Sequence, residues 1–142
     1  MYRRILVPLE HSPADETILV HVRALASRLG SSVVLLHVAD GWVARNIKEL
    51  DLRESEEMRE DRAYLETVCA RLQAEGLDAD AVLAAGEPAK EIAAAAEREG
   101  CDLIAMATHG HRLLGDVVKG STATALRHAT KIPILMVRAD KK

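Results

Sequence analysis

The chain has 142 residues and a formal charge of −3, from 19 Lys+Arg against 22 Asp+Glu; that length suits one domain over 1–142 and is too short for two ordinary ones. Hydrophobic residues at 49% and charged ones at 29% exclude an intrinsically disordered chain. Aromatic residues make up 2%, namely Tyr2, Trp42 and Tyr64 with no Phe, so the core must be Ala, Val, Leu and Ile, and a general nucleic-acid binder is excluded.

The first apolar run is Ile5-Leu6-Val7, stopped by Pro8. Ser12 is placed to cap a first helix, with Pro13 at its first position and Asp15 three residues after the cap. Ile18, Leu19, Val22, Leu25, Ala26 and Leu29 then recur at helical spacing up to Gly30. A second strand over 33–38 is almost continuously apolar. The connection over 39–52 carries Trp42, Arg45, Asn46 and Lys48, and it follows the carboxyl end of a strand, where ligands sit in such sheets.

A second helix over about 53–75 puts Met58, Leu65, Val68 and Leu72 on one stripe. The charges Glu54, Glu56, Glu57, Arg59, Glu60, Asp61 and Arg62 are expected on its solvated face. A weaker strand over 79–85 precedes a helix that starts at Pro88 and stops at Gly100. A fourth strand covers 103–107, Ser121 opens a short fourth helix, and a fifth strand covers 133–137. Alternating strands and helices, with continuous apolar strands, predict one doubly wound α/β domain whose mostly parallel sheet is covered on both faces.

Cys69 and Cys101 form no CxxC pair and are expected as two buried free thiols in a reducing compartment. No apolar run approaches the roughly 20 residues of a membrane span. The basic start at Met1 to Arg4 leads into an apolar stretch too short for a signal peptide, so a cytoplasmic protein with no membrane partner is expected.

Chemistry concentrates after the fourth strand, in Thr108-His109-Gly110-His111-Arg112-Leu113-Leu114-Gly115-Asp116-Val117-Val118-Lys119-Gly120-Ser121-Thr122. Its glycines let backbone N–H groups approach a ligand, and a helix opening at Gly120-Ser121-Thr122 is a ready anion site. Arg112 and Lys119 add positive charge, and His109 is placed to orient the loop through hydrogen bonds. Neither GxxxxGK[ST] nor GxGxxG is present. His109 and His111 lack companion acidic or thiol ligands at recognised spacing, so no metal site is read there. His37, in an apolar strand, reads as a satisfied core histidine, while His11, His21 and His128 show no evident partner. If strand four lies beside strand one, Pro8, Leu9 and Glu10 on one side and Thr108, His109 and Gly110 on the other flank the ligand crevice of the sheet.

On these residues the chain resembles the universal stress protein family over essentially its whole length. The matching pieces are the opening run from Ile5 to Ser12, Leu35-Leu36-His37-Val38, Gly86-Glu87-Pro88, Met106-Ala107-Thr108-His109-Gly110, nine further residues, then Gly120-Ser121, and the run from Pro133 to Val137. The resemblance implies a five-stranded parallel sheet of order 3-2-1-4-5, the adenine nucleotide alpha hydrolase-like arrangement. It implies ATP as ligand in some members, with AMP or ADP as alternatives and Mg²⁺ accompanying ATP, and none in others. Phosphates would meet Gly110, Gly120, Ser121 and Thr122, and adenosine would meet Glu10 and Val38. Ala107 stands where the family motif has its first Gly, and Glu10 where it usually has Asp. The resemblance also implies a homodimer through the last strand. The expected function is a dimeric nucleotide sensor in stress response with slow or no ATP hydrolysis and no catalytic residue; the alternative is an interaction module that works through its dimer surface and a protein partner.

Overall fold

Continuous apolar strands are stable only where both faces of a sheet are covered, because successive side chains point to opposite sides. Ile5 and Val7 join Val33 and Leu35 in one buried layer, whereas Leu6 joins Val34 and Leu36 in another. A computed structural model describes residues 1–39, 56–109 and 114–139, leaving the side chains of 109 and 114–121 outside that description. Its elements run β1 (Arg4–Pro8), α1 (Ala14–Leu29), β2 (Ser32–Ala39), α2 (Glu56–Ala74), β3 (Asp78–Ala85), α3 (Pro88–Arg98), β4 (Leu103–His109), α4 (Leu114–Ala129) and β5 (Ile134–Ala139).

All strand pairs are parallel and the sheet order is β3-β2-β1-β4-β5, as the resemblance implied. Helices α1 and α2 bury Ile18, Leu19, Val22, Leu65, Val68 and Leu72 on the first face. Helices α3 and α4 bury Ile92, Ala93, Ala96 and Leu126 on the second. Among the described residues the buried apolar ones are Ala, Val, Leu and Ile with Met58, Met106 and the two cysteines, with no aromatic side chain fully buried among them. Both thiols are free, and burial pushes Cys101 up to about 11, so it is not a nucleophile at neutral pH.

Two turns follow sequence chemistry closely. Gly86 adopts φ +145, where an added Cβ would stand 2.8 Å from Glu91 Oε2. Glu87 then caps α3, accepting from the Lys90 N–H at 2.9 Å, with Pro88 in the first turn.

Two expectations need correction. Helix α4 begins at Leu114, so Gly120 and Ser121 lie inside it and do not open it. An interior glycine costs a helix about 1 kcal/mol, and no proline separates Leu114 from Ser121 to stop it. The second correction is Asp61, which is only 6% exposed and belongs to the inner face of α2. It stands three residues after Met58 and four before Leu65, within the apolar stripe. The connection over 40–55 lies outside the described residues.

The amino-terminal ends of β1 and β4 are joined by one carboxylate. Asp102 accepts from the Arg3 N–H at 3.0 Å and the Arg4 N–H at 3.1 Å, while its own N–H donates to the Arg4 carbonyl at 2.9 Å. Burial works to raise the Asp102 carboxyl, and the N–H groups of Arg4 and Arg3 outweigh it, holding it below its ordinary value. Its stabilisation is therefore complete above the ordinary carboxylate range near pH 4 and is lost as pH falls through the lowered value. Asp102→Ala should cost about 1–2 kcal/mol in urea unfolding at pH 7. The gap to the parent should close as pH falls below the ordinary carboxylate range; a gap that stays unchanged under acid would contradict the assignment.

Candidate functional site

A ligand crevice forms in an open parallel sheet where neighbouring strands send their chains to opposite faces. β1 continues into α1 on the first face and β4 into α4 on the second, and the two strands pair through Ile5–Leu103 and Leu6–Ile104. The crevice therefore opens at the carboxyl ends of β1 and β4. Counting on from Leu6–Ile104 puts Ala107 level with Leu9, one residue beyond β1. On the other side Pro8 pairs with Leu36, so Val38 projects past the end of β1 toward Glu10.

The expected site residues fall on three adjacent strand ends. Pro8 ends β1 and is half-buried; Leu9 is buried and its N–H donates to the Leu36 carbonyl at 2.7 Å. Glu10 and Val38 are half-buried, and Ala107 is half-buried near the end of β4. His109 closes β4 with its backbone opposite Ala139. Thr122 is half-buried within α4. Gly110 and Arg112 lie outside the described residues, as do the side chains of His109 and Ser121; Gly120 lies on α4. The orphan N–H end of α4 accordingly stands at Leu114, directly after the glycine-containing segment, and not at Gly120.

The turn between β1 and α1 is held far more firmly than its sequence announces. Asp15 is 1% exposed; its carboxylate accepts from the N–H groups of Glu10 and His11 at 2.9 Å each and of Ser12 at 3.3 Å. The Tyr64 hydroxyl donates to the same carboxylate at 2.6 Å. Burial and then that hydrogen bond push the Tyr64 hydroxyl well above its ordinary value, so it stays a donor. Ser12 Oγ accepts from the Ala14 N–H at 3.2 Å and donates to Glu10 Oε2 at 2.7 Å. Pro13, and not Ser12, is the N-cap residue of α1 and makes no side-chain cap bond, so α1 starts one residue later than expected, at Ala14, while Asp15 reaches back to the N–H groups of Glu10, His11 and Ser12.

His11 adopts φ +65, a left-handed conformation uncommon outside glycine and enriched in His, Asn and Asp. Its ring stacks on Tyr64 with centroids 4.0 Å apart, and its Nδ1 meets Asp61 Oδ1 at 2.8 Å. His37 also has a partner on each nitrogen: Nδ1 meets the Leu9 carbonyl at 2.8 Å and Nε2 meets Asp61 Oδ2 at 3.1 Å. His37 is satisfied, as expected, but His11 gains partners that the sequence did not reveal. Asp15, Asp61 and Tyr64 were missed as site-supporting residues; the place of Asp61 in the Met58–Leu65 stripe was the available signal. Among the described residues no group of three or more His, Cys, Asp or Glu is arranged to hold a metal ion.

The universal stress protein family model matches residues 1–138. Universal stress protein MJ0577 of Methanocaldococcus jannaschii is 29% identical over 97% of this chain and 96% of its own length. A solved structure of MJ0577 has a TM-score of 0.79 at 28% identity, covering 100% of this chain and 99% of that one. A universal stress protein in complex with cAMP has a TM-score of 0.76 at 15% identity over 98% of this chain and 99% of that one. Another, from Archaeoglobus fulgidus in complex with dAMP, has 0.71 at 19% over 96% and 98%. At those two identities the likeness is one of fold.

Removing the Asp15 carboxylate leaves three backbone N–H groups and a buried hydroxyl without their acceptor. Asp15→Ala should lower unfolding free energy by roughly 3 kcal/mol, and Tyr64→Phe by about 1 kcal/mol. Urea unfolding measures both. A loss for Asp15→Ala no greater than that for Tyr64→Phe would contradict the four-donor account.

Proposed function

The chain belongs to the universal stress protein family, and on that premise we propose that it binds an adenine nucleotide in the crevice between β1 and β4. The observation that carries this reading is the strand switch itself: β1 and β4 are paired neighbours whose connections leave to opposite faces, with the family's motif residues on both banks. Adenosine lies against Pro8, Leu9, Glu10 and Val38, of which Glu10 has its backbone N–H held by the Asp15 carboxylate. The phosphates lie toward Ala107, His109, Gly110 and Arg112, and toward Gly120, Ser121 and Thr122 by the family motif. Related proteins of the same fold hold cAMP and dAMP, which is consistent with an adenine base.

ATP is the proposed physiological ligand, with AMP or ADP as products or alternatives, and Mg²⁺ held by ATP's phosphates with help from the Ser121 or Thr122 hydroxyl. Efficient phosphoryl transfer needs metal ligands and an oriented nucleophile. Asp116 is the only acidic residue between His109 and Thr122, so the protein is read as a cytoplasmic nucleotide sensor in stress response with turnover below about 1 s⁻¹. The family domain extends over 1–142. Assembly is a homodimer through β5, an edge strand on which Met136 is 36% exposed and Ile134, Leu135 and Val137 are half-buried.

One observation favours a second reading, an interaction module without nucleotide. The Glu10 carboxylate already accepts the Ser12 hydroxyl at 2.7 Å, which competes with a ribose hydroxyl for the same oxygen.

Thermal unfolding of nucleotide-stripped protein with ATP, AMP or cAMP, each with and without Mg²⁺, separates the two. Saturating ATP at about 100 times its Kd should add about 2.7 kcal/mol, a rise of several degrees in Tm, and Gly120→Val should abolish it. No shift at millimolar nucleotide would leave the interaction module. Light scattering at micromolar concentration should give twice the chain mass of 15.5 kDa; the single mass would remove the dimer.

A further inference from the structure

The nucleotide reading leaves unused a relay behind the β1–α1 turn, centred on the buried Asp61 carboxylate. Asp61 sits between two histidines, with Oδ1 on His11 Nδ1 at 2.8 Å and Oδ2 on His37 Nε2 at 3.1 Å. His37 Nδ1 continues the relay to the Leu9 carbonyl at 2.8 Å. Leu9 and Glu10 are consecutive, and His37 and Val38 are consecutive, so the relay spans the backbone of both strands assigned to adenosine.

Counting protons shows what the relay requires. A carbonyl oxygen only accepts, so His37 Nδ1 must carry hydrogen. An ionised Asp61 also only accepts, so Nε2 must carry one too, making His37 an imidazolium. With neutral His37, Asp61 must itself be protonated and donate to Nε2. Either way the His37–Asp61 pair holds one proton more than a neutral imidazole beside a carboxylate. His11 needs no extra proton, because a neutral ring with hydrogen on Nδ1 satisfies Asp61 Oδ1.

We propose that this single proton, shared by His37 and Asp61, clamps the Leu9–Ser12 turn and thereby makes nucleotide affinity at the crevice proton-linked. The proposal rests on the nucleotide reading above and adds its regulation; His37 and Asp61 act as positioning residues. With the proton present, α2, β2 and the turn are tied together. Its loss sets two acceptors against each other, at Asp61 or at Leu9, and frees the turn. Affinity therefore falls as pH rises.

The other titratable groups around the pair, among the described residues, are His11 and Glu10 of the turn, Tyr64 of α2 and, through its hydroxyl, Asp15 of α1. β3 sets Leu83 opposite His37. Tyr64 stays protonated across the neutral range. Asp15 accepts from four donors outside the pair, and the two histidines and Asp61 carry the response.

Asp61→Asn isolates the proton. An asparagine amide accepts from His11 with its oxygen and donates to neutral His37 with its nitrogen, so every contact persists without the shared proton. ATP affinity should be measured for the parent and Asp61→Asn between about pH 6 and pH 9, a window spanning ordinary histidine titration. Taking the ratio at each pH cancels the ionisation of ATP itself. The parent should weaken about tenfold relative to Asp61→Asn at the upper end, the loss of one hydrogen bond to a charged group. His37→Asn, which keeps a donor near Nδ1 and cannot titrate, should likewise be pH-flat, and it serves if Asp61→Asn folds poorly.

Nitrogen NMR of the imidazoles without nucleotide reads the clamp by itself. In the parent at pH 6, His37 should show hydrogen on both nitrogens or share it with Asp61, and in Asp61→Asn it should be the neutral Nδ1–H form at pH 7. A constant affinity ratio across the window overturns the coupling, and a bare Nε2 free of any shared hydrogen at pH 6 overturns the clamp. Absence of ATP binding at every pH overturns the nucleotide reading and the coupling with it, while the imidazole spectrum still decides the clamp.

Discussion

The buried carboxylate of Asp15 is the interaction on which the site depends. A carboxylate removed from water is costly unless hydrogen bonds replace its solvation. Here three consecutive backbone N–H groups and the Tyr64 hydroxyl do so at the amino end of α1, where the helix dipole also favours negative charge. Those four donors bring α1, α2 and the exit of β1 to one point. His11 can then persist at φ +65, a conformation that costs roughly 1–2 kcal/mol when unsupported. The turn carrying Glu10 is thus shaped before any ligand arrives.

Around that point the sheet supplies position more than chemistry. Nearly aromatic-free layers of Val, Leu, Ile and Ala cover both faces of β1 and β2, which hold the strand ends side by side in parallel register. The reversal of connection at β1 and β4 opens the crevice between them. The opposite rim is closed by Asp102 and by Arg4, whose Nε donates to the Glu99 carbonyl at 2.8 Å. The amino-terminal end of the sheet is thus tied by side chain–backbone hydrogen bonds.

The layers and strand positions were legible because buried parallel strands write themselves as continuous apolar runs. The strand order came with the family resemblance, carried by residues spread from Ile5 to Val137. The start of α4 was not legible, because glycine at 115 and 120 marks a loop only statistically and its cost in a helix is small. Asp61 was misread as surface because it stands in a run of charges, although its spacing from Met58 and Leu65 places it on the apolar stripe. The left-handed His11 and its pairing with α2 span 50 residues of chain, and no local pattern encodes such a contact.

The most direct measurement of the central claim is amide hydrogen exchange with and without saturating ATP and Mg²⁺. The account predicts added protection at the amides of 9–12 and of 107–122, the two banks of the β1–β4 crevice, with little change at the Asp102 end of the sheet. Protection confined to other elements, or none at all, would contradict a nucleotide site at the strand switch.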